Sequence, residues 1–436
     1  MTSLSTWFEA SSSSTPPSLS LSRKVYSTLT HCLLIALALF FGAQSAFAQT
    51  ETILYSFKGG TTDGAEPSSG LLMDSSGNLY GTAVLGGSHG YGTAYELSLS
   101  GSTWSETGLY SFKGGTTDGA YPYSGLVMDS SGNLYSTTYG GGLHNLGAFF
   151  EVTPGSTWSD SVLYNFGSGT QVSSWTKDGD YPYDLGQIVM AGGNFYGTTY
   201  EGGQDNYGVV FEASPPVAPA TAWTESVIYD PSGVTNAPGK LKNGLFMDSS
   251  GNLYGGSLSG GAHGYGTVFE VSSGGTGSVL YSFAAGTTDG AYPIGGLMMD
   301  SSGNLYGVTA QGGAHNNGTV FKLSYSGTSW TETVLHSFGG SGDGYSPNSG
   351  LVMDSSGNLY GTTFYGGAHS AGTAYEITSS GTESVLHSFA GGASDGSYPI
   401  GAMIIDSSGN LYGTTEFGGS SNCAGNGCGA VFKLVP

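Results

Sequence analysis

Five histidines fall at equivalent places in a repeated loop, each shortly after a Gly-Gly pair. They are His89, His144, His263, His315 and His369. Six aspartates precede a glycine in a second repeated loop, and they are Asp63, Asp118, Asp178, Asp289, Asp343 and Asp395. If both loops lie at one end of the fold, these imidazoles and carboxylates predict a ring of ligand-binding groups there. The competing interpretation is structural, because Asp-Gly is a turn dipeptide and duplication of a repeat copies its loops.

No metal-binding set is recognisable among these residues. One carboxylate per loop around a wide ring does not supply the six to eight oxygens that Ca²⁺ prefers, so a calcium ion would have to bind inside one loop. The recurrent Asp-Ser-Ser-Gly-Asn segment, as at 74–78, has one carboxylate where a calcium loop has several, which favours a hairpin turn. We therefore expect no cofactor and no metal site, with Ca²⁺ bound inside a loop as the alternative.

Two repeat units depart from the others in the loop that carries Asp-Gly. Unit three has an insertion at 171–177, and unit four has lysines in place of Asp-Gly and follows a proline-rich spacer. The candidate binding residues in these two loops are Trp175, Tyr181, Tyr183, Lys240 and Lys242. Neighbouring loops would bring them together as a patch that stacks on a sugar ring and bonds its hydroxyls. Sequence drift with repacking of the loops is the alternative.

Two cysteines lie near the C-terminus, Cys423 and Cys428, and a third, Cys32, lies in the N-terminal segment. In an oxidising compartment, the two C-terminal cysteines are expected to form a disulfide that pins the loop before the last strand. Free thiols and metal binding are the alternatives, although no further cysteine or histidine is adjacent.

The sequence contains no convincing catalytic motif. Gly392 to Gly396 fits G-x-S-x-G, but the equivalent segment elsewhere reads GTTDG and no helix follows, so we interpret the match as chance. HExxH, phosphate-binding and dinucleotide-binding motifs are absent. Paired carboxylates cannot be assigned without geometry, so a polysaccharide hydrolase or lyase stays an alternative.

A repeat must position all of these residues. One core, written GLxMDSSGNLYGT, occurs seven times, and its tyrosine falls every 52 to 61 residues, at Tyr80, Tyr135, Tyr196, Tyr254, Tyr306, Tyr360 and Tyr412. Each unit offers four short extended segments separated by Gly, Ser, Asn or Asp, and we label them A to D from the GLxMD segment onward. Segment A is apolar on both faces, so it must be covered on both.

Seven units of four antiparallel strands predict an all-β fold, a seven-bladed β-propeller. A β-solenoid is the alternative, but its coils are shorter than these units. The chain from 51 to 57 reads as an orphan segment D, whereas the last unit lacks D. Pairing the two would close the ring, with no unpaired end strand.

The N-terminus has the pattern of a signal peptide. Arg23 and Lys24 precede an apolar run from Cys32 to Ala43, and Ala46-Phe47-Ala48 follows. Because the run is too short to span a bilayer, we predict cleavage after Ala48, with a retained anchor as the alternative. The predicted domains are thus a signal peptide at 1–48 and a propeller at 49–436, secreted to the extracellular space or the periplasm.

Composition excludes several partners. The chain has 78 Gly, 15 Pro, and a net charge of −22, with 9 basic and 31 acidic residues. Such a surface repels phosphate backbones and anionic lipids, which excludes nucleic acid and peripheral membrane binding. No apolar run after the signal peptide approaches membrane-spanning length. Neutral or cationic partners, and a monomer, are expected.

The repeats resemble the GloVer (Gloeo/Verruco) choice-of-anchor tandem repeats of secreted bacterial proteins. The GLxMDSSGNLYGTT core, the Gly-Gly loop and the G-T-x-F-E/K-L strand carry the resemblance over nearly all of the mature chain. It implies a secreted or surface-linked repeat protein without an assigned activity. Members often carry a C-terminal anchoring segment, whereas this chain stops at Pro436 directly after the last strand.

Together these features predict a secreted binding or structural module, with a glycan or another cell-surface component as ligand. A secreted carbohydrate-active enzyme is the alternative, and a scaffold without a small ligand is a third possibility.

Overall fold

The structure is a computed structural model that describes residues 50–436, except 173–174, 184–186 and 421. The described chain forms seven antiparallel sheets arranged as a seven-bladed β-propeller, as predicted, and not a solenoid. One 3₁₀ turn, Cys423–Gly425, interrupts the strands. The predicted signal peptide lies outside the described residues.

Blades 1 to 4 each contain strands A, B, C and D in that order across the sheet. In blade 1 they are Leu72–Met73, Leu79–Ala83, Thr93–Ser100 and Thr103–Ser111. In blade 2 they are Val127–Met128, Leu134–Thr138, Ala148–Thr153 and Ser159–Asn165. In blade 3 they are Val189–Ala191, Asn194–Thr198, Val210–Ser214 and Thr224–Tyr229. In blade 4 they are Phe246–Met247, Leu253–Ser257, Thr267–Val271 and Gly277–Ser282.

Blades 5 to 7 have longer B strands, which pair with an additional segment ahead of strand A. Blade 5 consists of Gly290–Met299, Leu305–Gly312, Thr319–Tyr325 and Trp330–Ser337. Blade 6 consists of Gly344–Pro347, Val352–Met353, Leu359–Gly366, Thr373–Ile377 and Glu383–Ser388. Blade 7 consists of Gly396–Pro399, Ile404–Ile405, Leu411–Gly418 and Ala430–Val435, with Thr50–Ser56 as its strand D.

Small two-stranded ladders extend the first four blades beyond strand B. They are Gly64–Ala65 with Leu85–Gly86, Gly119–Ala120 with Gly140–Gly141, Gln171–Val172 with Trp175–Thr176, and Pro238–Gly239 with Ser259–Gly260. Three of these ladders are equivalent to the additional pairing of blades 5 to 7. The ladder of Gln171–Val172 is instead a local hairpin formed by the insertion of unit three.

The N-terminal strand closes the ring. Thr50–Ser56 pairs antiparallel with Ala430–Val435, from Thr50 opposite Val435 to Ser56 opposite Ala430. The orphan segment D at the start of the chain therefore completes the last blade, as predicted, and covers the edge of its strand C.

Aromatic rings form the core between blades. Each C strand has at least one fully buried ring, such as Tyr95 in blade 1 or Phe150 in blade 2. At six of the seven interfaces, a phenylalanine at the end of the preceding D strand packs edge-on against that ring, with centroids 4.9–5.1 Å apart, as Phe112 does on Phe150. At the interface of blades 3 and 4, the buried Pro231 stands at the position of this phenylalanine. Both faces of each sheet are thus buried.

The two ends of the propeller have different connections. The A–B and C–D turns lie at one end, which we call the turn face. The B–C and D–A loops lie at the other end, the loop face, because the strands are antiparallel.

On the turn face, six A–B turns are the predicted hairpins. In blade 1 the Asp74 carboxylate accepts hydrogen bonds from the backbone N–H groups of Ser76 and Asn78, at 2.8 and 2.9 Å, and from the Asn78 side chain and the Tyr80 hydroxyl. Gly77 has a φ of +84°, which only glycine adopts without cost. Burial alone would raise the pKa of Asp74, but these hydrogen bonds outweigh it and hold the pKa below its usual value.

Candidate functional site

The loop face carries seven equivalent residues with left-handed backbone conformation. All are non-glycine residues with φ between 54° and 60°, namely Glu66, Tyr121, Tyr181, Lys240, Tyr292, Ser346 and Tyr398. Each immediately precedes a proline, except Lys240, which precedes leucine. Such a conformation costs of order 1–3 kcal/mol per residue, and it persists where the surroundings fix it.

Hydrogen bonds between blades hold these residues in place. The backbone N–H of Tyr181 donates to the carbonyl of Leu146 in blade 2 at 2.8 Å, and the equivalent bond occurs from Glu66 to Cys428 and from Tyr398 to Ala371. The backbone therefore repeats around the ring, whereas the side chains differ from blade to blade.

Aromatic residues collect where blades 2 and 3 meet on this face. The Tyr139 and Tyr181 rings stack with centroids 5.0 Å apart, and Tyr183 lies 4.6 Å from Tyr123 and 5.4 Å from Tyr139. Tyr183 also packs against the apolar cluster that contains Ile294 of blade 5. It therefore reaches across the inner part of the loop face.

Two lysines from blade 4 complete this group. The Lys242 Nζ lies 4.5 Å from the centroid of Tyr183, and burial lowers the pKa of Lys242. The Lys240 Nζ lies 4.7 Å from the centroid of Tyr200 and 2.9 Å from a Glu201 carboxylate oxygen. A cation over the face of an aromatic ring is attracted by the ring quadrupole.

We call these residues the tyrosine–lysine patch: Tyr123, Tyr139, Tyr181, Tyr183, Tyr200, Lys240 and Lys242. A cavity of about 160 Å³ opens within it, lined by Tyr139, Tyr183, Tyr200 and Lys242. The structure thus brings together four of the five candidate binding residues of the two departing loops. Tyr123, Tyr139 and Tyr200 were missed, although each stands at a repeat position equivalent to one occupied by a different residue in other units.

Trp175 is the one member of the predicted patch that the structure does not connect to it. It lies in the hairpin with Gln171–Val172, partly buried, and its indole is within aromatic contact of no ring in the described chain. The insertion thus places Trp175 apart from the tyrosines.

Two carboxyl groups lie beside the patch. Burial, and then the neighbouring Glu66, raises the pKa of Glu416 to about 7. Burial also raises the pKa of Glu66. The pKa of the Tyr123 hydroxyl is raised mainly by burial and also by these two nearby carboxyls.

The five loop histidines are all exposed, and the structure does not gather them into a metal-binding group. His89, for example, is within hydrogen-bond distance of its neighbour Ser88 alone, at 2.8 Å. The aspartates of the D–A loops instead have structural bonds: Asp118 accepts from the Tyr110 hydroxyl and from the backbone N–H groups of Lys113 and Gly119. This supports the interpretation of Asp-Gly as a turn.

A family of repeats matches the chain over residues 38–230 and 217–432, namely the Gloeobacter/Verrucomicrobia repeat. The chain belongs to this family. No curated protein matches it.

Solved structures resemble this Gloeobacter/Verrucomicrobia repeat protein at low identity. A gluconolactonase-like protein has 10% identity and a TM-score of 0.42, with 89% of this chain and 92% of that chain covered. The extracellular domain of a protein assigned as a hybrid two-component system of B. thetaiotaomicron has 12% identity, a TM-score of 0.47, and coverage of 86% and 39%. A 6-phosphogluconolactonase-like protein from Bacteroides uniformis has 14% identity and a TM-score of 0.47, with 73% of this chain and 84% of that chain covered. Likenesses this weak do not bear on function.

The disulfide predicted for this repeat protein is present. Cys423 and Cys428 are bonded, with Cα atoms 5.3 Å apart, in the B–C loop of blade 7. Both sulfurs lie against Gly59 of the first D–A loop, where an added Cβ would be 2.9 and 3.1 Å away. The bond therefore fixes the loop that faces the ring closure.

Two of the larger cavities of the repeat protein lie on the turn face. One of about 650 Å³ lies between blades 5 and 6, lined by residues that include Met298, Lys322 and Asp354, and one of about 460 Å³ lies between blades 3 and 4. Because these grooves recur between neighbouring blades and are lined by the repeated turns, we interpret them as products of the repeat. In the described chain no helix is long and apolar enough to cross a membrane.

Proposed function

We propose that this protein is a secreted carbohydrate-binding module whose tyrosine–lysine patch takes a sugar unit of a cell-surface polysaccharide. The observation that carries the proposal is the cavity of about 160 Å³, in which three tyrosine rings surround a partly buried lysine. Pockets for drug-sized ligands are larger, about 300–1,000 Å³, so this one suits a single sugar ring of a longer chain.

The chemistry of the patch matches that of a sugar. The C–H face of a pyranose is apolar and stacks on tyrosine rings, which carry a hydroxyl for polar contacts at the edge. Among the described residues, Lys242 has no carboxylate within ion-pair distance, so its three N–H groups are free to donate to sugar hydroxyls or to the carboxylate of a uronic acid.

An extracytoplasmic location is part of this proposal. The Cys423–Cys428 disulfide supports it, because disulfides form and persist in oxidising compartments. Cleavage after Ala48 and a monomeric state are further expectations, which N-terminal sequencing of the secreted protein and light scattering would test.

A glycan array with neutral and uronate-containing polysaccharides, followed by calorimetric titration, tests the proposal. Tyr183→Ala and Lys242→Met are each expected to weaken binding at least about tenfold, as for buried anchors of other interfaces. Tyr345→Ala is the matched control, since Tyr345 is an exposed loop-face tyrosine stacked on Tyr365 in blade 6. Absence of binding to every polysaccharide, or wild-type affinity in Tyr183→Ala, would contradict the proposal.

A carbohydrate-active enzyme is the second candidate, and one observation favours it. Burial and the neighbouring Glu66 raise the pKa of Glu416, which lies beside Tyr123, to about 7, and a carboxyl with such a pKa suits a general acid. Incubation with the polysaccharide that the array selects would give new reducing or unsaturated ends, and Glu416→Gln would abolish them. Binding without any new ends leaves the binding module as the function.

A further inference from the structure

Six of the seven blade interfaces repeat one trio of polar side chains. The first residue is a tyrosine or histidine on strand D of one blade, the second is the aspartate of the following loop, and the third is an acidic residue on strand D of the next blade. The trios are Tyr55–Asp63–Glu106, Tyr110–Asp118–Asp160, Tyr164–Asp178–Glu225, Tyr281–Asp289–Glu332, His336–Asp343–Glu383 and His387–Asp395–Glu51.

Four of these trios begin with tyrosine. In each, the phenol hydroxyl donates to the aspartate, at 2.9, 2.7, 2.7 and 3.2 Å in chain order. The pKa of each of these four hydroxyls is raised, by burial first and then by the aspartate and acidic neighbours. A protonated phenol is a poor metal ligand, so these four interfaces are hydrogen-bonded contacts only.

The other two trios begin with histidine. His336 Nε2 lies 3.0 Å from an Asp343 oxygen, and His387 Nε2 lies 3.2 Å from an Asp395 oxygen. One oxygen of Glu383 completes the first group and one of Glu51 the second, with all three donor atoms of each group within 4.8 Å of one another. These two trios therefore present one imidazole nitrogen and two carboxylate oxygens at one point.

The third residue of each histidine trio has a buried carboxylate oxygen without a hydrogen-bond partner in the described chain, and so has the third residue of three tyrosine trios, namely Asp160, Glu225 and Glu332. Oε1 of Glu51 and Oε1 of Glu383 are buried and have no hydrogen-bond partner among the described residues. A buried carboxylate oxygen without a partner is costly, and coordination to a cation is one way to satisfy it.

We propose that these two trios are Zn²⁺ sites, one between blades 5 and 6 and one between blades 6 and 7. One nitrogen and two oxygens are a donor set of Zn²⁺ sites that keep a water in the fourth position. Tetrahedral Zn²⁺ holds such donors about 3.3–3.5 Å apart. The imidazole and aspartate donors are already 3.0 and 3.2 Å apart, and the glutamate oxygen lies within 4.8 Å of both. Nε2 must be unprotonated to bind the ion, so the neutral imidazole in the zinc-bound form carries its proton on Nδ1.

Zn²⁺ fits better than the Ca²⁺ considered from the sequence. Ca²⁺ takes six to eight oxygen ligands, whereas each trio supplies two carboxylates and a nitrogen. Imidazole suits zinc, and zinc binds a given nitrogen and oxygen site more tightly than Mn²⁺ does.

The second site has a consequence for the ring. Glu51 belongs to the strand that closes blade 7, His387 belongs to strand D of blade 6, and Asp395 lies in the loop between them. A zinc ion there joins the N-terminal strand to the preceding blade, so zinc is expected to stabilise the closed ring.

The test uses purified protein that has been stripped with a chelator and reloaded with ZnCl₂, with zinc counted by elemental analysis after gel filtration. Wild type is expected to hold two zinc ions per chain, and Tm is expected to rise by at least about 3 °C. His336→Tyr and His387→Tyr each install the residue found in the other four trios, so they keep the fold and lose one ion each.

The converse substitution sharpens the test. Tyr281→His creates a third histidine trio with Asp289 and Glu332, and is expected to hold three zinc ions. The double variant H336Y/H387Y is expected to hold none, with the Tm of the zinc-free wild type. A wild type that retains no zinc, or a double variant with the zinc content of the wild type, would overturn the assignment.

Discussion

The repeat keeps the same side chains at the turn face of the propeller, whereas at the loop face it keeps the backbone and varies the side chains. On the turn face, six aspartates make the same set of hydrogen bonds to the Ser, Asn and Tyr residues of their turns. On the loop face, seven residues have the same left-handed backbone, but the side chains are Glu, Tyr, Tyr, Lys, Tyr, Ser and Tyr. Turn-face side chains are therefore assigned to folding, and loop-face side chains are free to bind a ligand.

Removal of the closing strand is expected to lower stability the most, because this strand connects the turn face and the loop face of blade 7. Deletion of residues 49–57 exposes the edge of Ala430–Val435 and removes the buried Phe57 from the core. We expect Tm to fall by more than about 10 °C, since a core phenylalanine alone contributes about 3–5 kcal/mol. Calorimetry measures this, and an unchanged Tm would mean that the ring does not depend on this strand.

The pH dependence of stability distinguishes the carboxyls between blades from the turn aspartates, because their pKa values are shifted in opposite directions. Burial, and then the neighbouring aspartate, raises the pKa of Asp160, Glu225 and Glu332 to about 8 each and of Glu106 to about 7. The folded protein therefore binds more protons than the unfolded chain above about pH 4, and stability falls as pH rises from there to about 8.

The pKa values of the turn aspartates are shifted downward, so their contribution to stability depends on pH in the opposite direction. Hydrogen bonds lower the pKa of Asp129 and its equivalents despite burial, so the stability they contribute is present above their unfolded pKa and is lost only as pH falls through the lowered value. We expect Tm to be highest near pH 5 and several degrees lower at pH 8.5. Glu225→Gln should flatten the alkaline side, whereas a Tm that rises toward pH 8.5 would contradict this account.

A single turn substitution is expected to have the smallest effect. Asp129→Ala removes the acceptor of four hydrogen bonds and should cost about 1 kcal/mol, or a fall in Tm of about 1–2 °C, without a change in glycan affinity. Ser130→Ala, in the same exposed turn, is the control. Loss of glycan binding in Asp129→Ala with an unchanged Tm would reverse the roles of the two faces.

Most of the fold was predictable because the same sequence pattern occurs in all seven units. The strands, the hairpin aspartates, the ring closure and the disulfide all depend on contacts that are local in sequence or repeated in each unit. Blade 3 shows the limit of this rule: its turn is one residue shorter, and Ala191 pairs directly with Asn194 across Gly192 and Gly193, both with positive φ.

The candidate site was predictable only in part, because it is formed between blades. Lys240 and Lys242 were found as departures from the repeat, and Tyr181 and Tyr183 as their neighbours. Tyr139 and Tyr200 gained meaning only from their contacts with residues of the next blade. The histidine trios were missed for the same reason. Glu383 is 47 positions from His336, and the change from tyrosine to histidine on strand D was the one signal in the sequence.

Hydroxyl-radical footprinting with the selected polysaccharide bound tests the central claim most directly, because it reads every tyrosine of the loop face at once. We predict that Tyr139, Tyr183 and Tyr200 are protected from oxidation, whereas Tyr345 and Tyr365 on blade 6 keep the rates of the free protein. Protection of the blade 6 pair or of the turn-face tyrosines, with no change at Tyr183, would contradict the assignment of recognition to the tyrosine–lysine patch.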